Sequence, residues 1–290
     1  MYSKMPLSAE DIRSLHKYDI RILLALERLM KKYRWVPQDI LKQSTDLSLS
    51  ELEYRLGHLM ELDMVKSSSV PYKGYQIVFA GYDALALHSL TKRGSVQALG
   101  SLLGIGKEAQ VYEALGMGLL ALKFHRVGQR SFQSVRKNRG YMPEYKHFPW
   151  IFASAYSAKQ EYDALKILYE NGVSVPIPVD INRNVVVMSL IQGVNLNQCT
   201  PGKPEETLDM ILDDVAKAYH LGFIHGDLSE FNVMVDEDRV WIIDWPQWIE
   251  PGHPNADNIL MRDLRNIITY FERKYGIVYL PEDAVSRVVG

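Results

Sequence analysis

Two aspartates and an asparagine stand at spacings suited to phosphoryl transfer. Asp227 and Asn232 lie five positions apart in His225-Gly226-Asp227-Leu228-Ser229-Glu230-Phe231-Asn232, and Asp244 follows twelve positions later in Trp241-Ile242-Ile243-Asp244-Trp245-Pro246. In such a set one carboxylate can accept a hydroxyl proton, the amide oxygen can hold a magnesium ion, and the second carboxylate can bridge metal and phosphates. Val233 to Val235 predicts a strand leading into the turn Asp236-Glu237-Asp238, and the strand Val240 to Ile243 returns Asp244 to the same cleft. A solvated loop and a hairpin could carry two Asp and one Asn by chance, but three residues in register favour a site.

The same chemistry needs a cation and a phosphate cradle. Leu103-Gly104-Ile105-Gly106-Lys107-Glu108-Ala109-Gln110-Val111-Tyr112 places two glycines where backbone amides could approach phosphate oxygens. Alone that match is weak. It precedes two predicted strands, Gln110 to Ala114 and Leu119 to His125, and the latter contains Ala121-Leu122-Lys123. A lysine in an apolar strand needs a partner, because an unpaired buried ammonium is costly. Glu161, in a helix predicted from Ser157 to Glu170, is the best candidate; Glu170 is its rival, near the helix end and expected exposed.

Composition bounds the rest. The 290 residues suit one large domain or two smaller ones, and 47% hydrophobic with 23% charged content is that of an ordinary globular protein. The formal charge of -2 argues against general nucleic-acid affinity, though not against a local basic face. A single cysteine, Cys199, excludes an internal disulfide and a thiolate metal cluster. No apolar leader or membrane-length run is present, so a cytoplasmic location without membrane contact is expected.

The elements that must position these residues begin with a separate unit. Ser8 can cap a short helix and Asp19 a longer one, with Ile20, Leu23, Leu24 and Leu26 at helical spacing. A helix from Gln38 to Gln43 follows, then one opened by Ser48 or Ser50 with Leu52, Leu56, Leu59 and Met60 on one face. Strands Met64 to Ser67 and Tyr75 to Ala80 flank a turn, completing a winged-helix pattern. The face carrying Glu51, Glu53, Arg55, His58 and Glu61 is poor for phosphates, so protein docking competes with DNA binding. Tyr82 to Arg93 predicts a linking helix. Farther on, Arg126, Arg130, Arg136, Lys137, Arg139 and Lys146 face a single acid, Glu144, with Tyr141, Phe148 and Trp150 interleaved. That segment reads as a solvated basic loop or as an RNA contact. After the apolar strand Val185 to Met188, Ser189 to Gly193 reads as a hinge. Leu208 to Leu221 and Asn255 to Lys274 predict helices, and only about a dozen residues separate Asp244 from the second of them.

Five of these stretches in order, Gly104 to Glu108, Ala121 to Arg126, His225 to Asn232, Ile242 to Gln247 and His253 to Ala256, resemble the RIO family of atypical serine/threonine kinases. The leading winged helix is similar to that of its second branch. The resemblance implies an α+β, two-lobed kinase-like fold behind a winged helix: residues 1–81 winged helix, 82–98 linker helix, 99–188 N-lobe, 189–290 C-lobe with hinge. It implies ATP and magnesium (or manganese) as ligands. By position, Asp227 is the catalytic base, Asn232 and Asp244 the metal ligands, and Lys123 the phosphate lysine. ATP contacts are expected from Gly104, Ile105, Gly106, Lys107, Glu108, Val111, Ala121, Met188, Ser189 and Ile191. Ser189 departs from the glutamate expected at the hinge, where backbone groups do most of the adenine recognition. The implied role is maturation of the small ribosomal subunit, with autophosphorylation, transient phosphorylation of the metal-binding aspartate, and contacts to ribosomal RNA from Arg126, Arg130, Arg136, Lys137 and Arg139. A monomer is one possibility for the assembly. Aminoglycoside- or choline-type phosphotransferases share part of the pattern but not the winged helix; a scaffold with a vestigial site is the non-enzymatic alternative.

Overall fold

The computed structural model describes residues 9–128, 150–237 and 239–290. It divides into two compact units: Met1–Ala158 with Asp180–Val187, and Lys159–Val179 with Met188–Gly290. Arg130, Arg136, Lys137, Arg139, Lys146 and the turn residue Asp238 lie outside the described residues.

The first unit opens with helices α1 (Ala9–Ser14), α2 (Lys17–Leu29), α3 (Gln38–Thr45) and α4 (Leu49–Glu61). Asp19 does not cap α2 from outside, as its sequence position suggested. His16 is the cap: its Nδ1 accepts the Tyr18 N–H at 3.3 Å, while Asp19 reaches back to accept the His16 N–H at 2.8 Å. The two bonds satisfy orphan donors reciprocally. Ile22, Leu23, Ala25 and Leu26 form the buried face, and Leu24, expected inside, is 45% exposed. Ser48 caps α4 through the Glu51 N–H at 3.2 Å, and Leu52, Leu56 and Leu59 face inward. Strands β1 (Val36–Pro37), β2 (Val65–Ser68) and β3 (Gly74–Ile77) pair in the order β1-β3-β2. The predicted strand through Ala80 ends at Ile77, because α5 (Phe79–Arg93) begins there.

Helix α5 is more than a link. Tyr82, Ala84 and Leu85 join the winged-helix core, and Ala86, Leu87 and Leu90 join Tyr112, Leu120, Leu122, Phe124, Val185 and Val187 in a second core. That core lies under a five-stranded sheet of β4 (Ala98–Ile105), β5 (Ala109–Leu115), β6 (Leu119–His125), β7 (Pro178–Asn182) and β8 (Val185–Ser189), ordered β4-β5-β6-β8-β7. Alternation along β6 sends Leu120, Leu122 and Phe124 to the core, and Ala121 and Lys123 to the other face. A second tie is ionic: Arg183, at the β7–β8 turn, grips Glu27 of α2 with bonds of 2.9 and 2.7 Å. Helix α6 (Trp150–Glu170) starts about two turns before the predicted Ser157, taking Trp150 out of the basic segment.

The second unit contains a small antiparallel sheet of β9 (Val194–Asn195), β10 (Val233–Asp236) and β11 (Arg239–Ile242), ordered β11-β10-β9. Around it lie α7 (Pro204–His220), α8 (Ala256–Tyr275) and α9 (Pro281–Val289). Leu208, Ile211, Leu212 and Val215 are the buried stripe of α7, as their spacing predicts, with Tyr219 half-buried. Strand β9 and helix α9 were not anticipated. Arg287 of α9 binds Asp213 of α7 at 2.8 Å and also Asp209. Among the described residues no helix is long and apolar enough to cross a membrane.

Candidate active site

The loop after α7 is fastened residue by residue. Ile224 and Ile249 exchange two backbone bonds of 2.9 Å, fixing where the loop begins. Next, His225 is buried against the Trp245 ring, centroids 4.6 Å apart. Its Nε2 donates to the Ile243 carbonyl at 2.9 Å, and its Nδ1 accepts the Asp227 N–H at 3.2 Å. Together these bonds call for the tautomer protonated on Nε2. Gly226 sits at φ +84°, and a Cβ there would stand 2.4 Å from the Gln247 carbonyl oxygen, so only glycine fits.

Helix α8 holds the same loop from below. The buried Asp263 accepts the Gly226 N–H at 2.8 Å, Arg262 bonds both the Gly226 carbonyl and Asp263, and Asn266 donates to the Leu228 carbonyl at 3.0 Å. Sequence reasoning missed all three. The available signal was Asp263 itself, a carboxylate within the apolar stripe Leu260, Leu264 and Ile267.

Asn232 spends its amide N–H on the Asp227 carbonyl at 2.8 Å, which turns its Oδ1 away from that bond. Its own carbonyl accepts the Ile243 N–H at 2.9 Å, so the residue before Asp244 is pinned to Asn232. Asp244 holds φ +69°, uncommon for a non-glycine residue and the kind of strain that clusters at functional sites. Trp245 closes the turn: its backbone N–H reaches Glu161 Oε1 at 3.3 Å and its indole donates to the Ile242 carbonyl at 3.0 Å. Glu161, expected as the lysine's partner, is 1% exposed in this second unit, with that bond to Trp245. Loss of solvent around the Asp227 carboxyl raises its pKa above the ordinary aspartate range; Asp244 and Asp263 add to the rise, and Arg262 opposes it.

Asn232 and Asp244 offer one amide oxygen and one carboxylate for a cation. Among the described residues no group of three or more His, Cys, Asp or Glu forms a metal cage. Two protein ligands, completed by water and phosphate oxygens, fit the habits of magnesium.

The first unit carries the other expected contacts. Gly104 and Ile105 end β4, Gly104 to Lys107 are exposed, and the turn closes through the Gly106 N–H to the Ala109 carbonyl at 2.8 Å. Lys123 stands opposite Val111 in the ladder and is 7% exposed, next to the buried Ala121 on its face. In the second unit Met188 is buried and Ile191 half-buried. Ser189 trades two bonds of 2.9 Å with Ile177, one through its backbone N–H and one through its hydroxyl. Arg126 corrects an expectation. Its guanidinium is not held out for RNA; it pairs with Asp83 of α5 and lies over the Phe79 and Phe124 rings at 4.9 and 5.6 Å.

A catalytic-loop Asp, an Asn five residues on and a strained Asp after a strand is the arrangement of kinase sites, and comparison with known proteins decides which kind. The RIO domain profile matches residues 110–283, and the Rio2 N-terminal profile matches residues 12–93. The chain belongs to the RIO family of atypical serine/threonine kinases. It is similar to the RIO-type serine/threonine-protein kinase Rio2 of Methanocaldococcus jannaschii, 38% identical over 86% of this chain and 93% of that protein. It is also similar to the serine/threonine-protein kinase rio2 of Dictyostelium discoideum, 33% identical over 94% of this chain, which spans only 53% of that longer protein. Among solved structures, the Rio2 kinase-ADP/Mg2+-phosphoaspartate complex from Chaetomium thermophilum matches with TM-score 0.83 and 29% identity, over 97% of this chain and 89% of the other. The RIO assignment makes this a phosphotransferase with a kinase fold and a leading winged helix, the class read from its motifs.

Proposed function

We propose that this RIO protein is an ATP- and magnesium-dependent kinase and ATPase that acts on precursors of the small ribosomal subunit. The observation that carries the reading is the fastened constellation of Asp227, Asn232 and Asp244. The Chaetomium thermophilum relative with ADP, magnesium and a phosphoaspartate supports the same ligands here. Magnesium (or manganese) at Asn232 and Asp244 would neutralise charge on the transferred phosphoryl group. Lys123 and the Gly104–Glu108 turn are assigned to the phosphates, and Met188, Ser189 and Ile191 to the adenine end.

In the hydrolytic course, an Asp244 carboxylate oxygen forms a bond to the γ-phosphorus while the bond to the β,γ-bridging oxygen breaks. ADP leaves with the electron pair. Water then cleaves the aspartyl phosphate to inorganic phosphate, restoring the Asp244 carboxylate, and Asp227 accepts the proton of the attacking water. The ribosomal destination rests on the family resemblance and on the cations Arg130, Arg136, Lys137 and Arg139, enough to meet several RNA phosphates. The test is incubation with γ-labelled ATP and magnesium, followed by mapping of retained label. Label on Asp244 that hydroxylamine removes is the expected result. Turnover with label on serine alone would overturn the aspartyl-phosphate course, and no turnover would overturn the enzyme.

A further inference from the structure

The polar cluster at the end of β6 is not accounted for by the catalytic motifs. Asp83 lies on α5, outside the nucleotide motifs, and is 4% exposed. Its two oxygens hold Arg126 in a fork, Nη1 to Oδ1 at 3.0 Å and Nη2 to Oδ2, and Oδ1 also accepts the Asn184 amide at 2.8 Å. A carboxylate this deep is stable only while paired and hydrogen-bonded. Burial pushes its pKa up; Arg126 and Asn184 are what pull it back.

Arg126 works at both ends. Its side chain answers to Asp83, and its backbone N–H donates to the Glu108 carbonyl at 2.6 Å. That bond continues the β5–β6 ladder by one rung beyond Ala109 and His125. It therefore fixes the last residue of the Gly104–Glu108 turn. Asn184 steadies the same spot: its carbonyl accepts the His125 N–H at 2.8 Å, and its amide, like the Arg126 guanidinium, donates to the His125 carbonyl, at 3.3 and 3.2 Å. A chain of bonds thus runs from the helix shared with the winged helix to the turn assigned to phosphates.

We propose that Asp83 is a positioning residue for the phosphate turn: acting through Arg126, it sets where Glu108 stands and so tunes affinity for the phosphates of the nucleotide. The inference rests on the proposed assignment of that turn to ATP. It also makes the winged helix, through α5, a place from which nucleotide affinity can be altered.

The test compares Asp83→Ala, Asp83→Asn and Arg126→Lys with Glu27→Gln, measuring binding of ATP-magnesium and of adenosine, steady-state KM and kcat, and thermal unfolding. Glu27→Gln weakens a separate ionic tie between the winged helix and the sheet, at the β7–β8 turn. A displaced turn is expected to raise the KM for ATP about tenfold in Asp83→Ala, with kcat changed much less. Adenosine, lacking phosphates, should bind as before. Asp83→Asn, which keeps one of the two acceptor oxygens, should recover part of the affinity, and Glu27→Gln should lower thermal stability without moving KM. Folded Asp83→Ala with wild-type KM, equal losses for adenosine and ATP, or the same KM rise in Glu27→Gln would each overturn the inference while leaving the kinase reading standing. Wild-type protein that bound no ATP-magnesium would instead overturn the kinase reading, and this inference with it. Should Asp83→Ala fail to fold, Arg126→Lys decides: it keeps the charge but cannot form the fork, so an unchanged KM there refutes the idea.

Discussion

Replacing Gly226 by alanine is the sharpest perturbation of the catalytic loop. The backbone stands at φ +84°, where a Cβ costs roughly 1–2 kcal/mol. The added carbon would also lie 2.4 Å from the Gln247 carbonyl oxygen, whereas ordinary contact begins at 3.4 Å, so loop and Gln247 must separate by 1.0 Å. Forced repacking of that kind adds about 1–3 kcal/mol. Both sides of the gap are anchored, Gly226 to Asp263 and the Gln247 segment through the Ile224–Ile249 bridge, so the shift is transmitted to Asp227. A displacement near 1 Å at a reacting group costs about a hundredfold in rate. Gly226→Ala should therefore lose about 2–5 kcal/mol of unfolding free energy and about two orders of magnitude in ATP turnover. Gly222→Ala is the control. Its φ is +93° but no atom lies within 4 Å of the built Cβ, so it carries the backbone cost alone and should turn over ATP nearly normally. Denaturant unfolding and labelled-phosphate release measure the two quantities. Wild-type turnover in folded Gly226→Ala, or an equal loss in Gly222→Ala, would refute the argument.

Lys123→Ala should lower turnover by orders of magnitude while unfolding stays cooperative; unchanged turnover would remove Lys123 from the phosphates. Asn232→Ala and Asp244→Ala should weaken ATP-magnesium binding far more than adenosine binding, and calorimetry showing equal losses would contradict the metal assignment. Because the base acts only when ionised and the Asp227 pKa is raised, kcat/KM should begin to fall at a higher pH than an ordinary aspartate would give. Arg262 opposes that rise, so Arg262→Gln should move the acid limb further up; a limb moved down would reverse the sign argued here. Replacing Arg136, Lys137 and Arg139 together by alanine should flatten the salt dependence of RNA binding by about two to three units if each meets a phosphate, with RNA-free hydrolysis little changed.

The kinase class of this chain was legible where residue types are few and their spacing is short. Phosphoryl transfer admits little besides Asp, Asn and Lys at these positions, and β10, β11, α7 and most of α8 follow from plain apolar periodicity. Local competition was harder to read. Asp19 looks like an N-cap by type, yet His16 takes that place and Asp19 becomes the reciprocal partner three residues on. Leu24 matches the helical stripe, but the inward face of α2 is centred on Ile22, Ala25 and Leu26.

The residues that stayed hidden share one property: each works by reaching a backbone group or an opposite charge far away in the chain. Asp263 serves Gly226 across 37 positions, and Asp83 answers Arg126 across 43. In a basic neighbourhood Arg126 reads as one more cation for RNA, because nothing near it in sequence supplies its acid. The apolar setting held the clue in both cases. Asp263 interrupts the stripe of α8, and Asp83 falls between Tyr82 and Ala84 on a helix that serves two cores. A carboxylate there must be paired on folding, since leaving it alone would cost several kcal/mol. A buried acid inside an apolar stripe therefore marks a long-range partner before the partner is known: Asp263 holds the Gly226 N–H, and Asp83 holds Arg126, whose own backbone N–H bonds the Glu108 carbonyl.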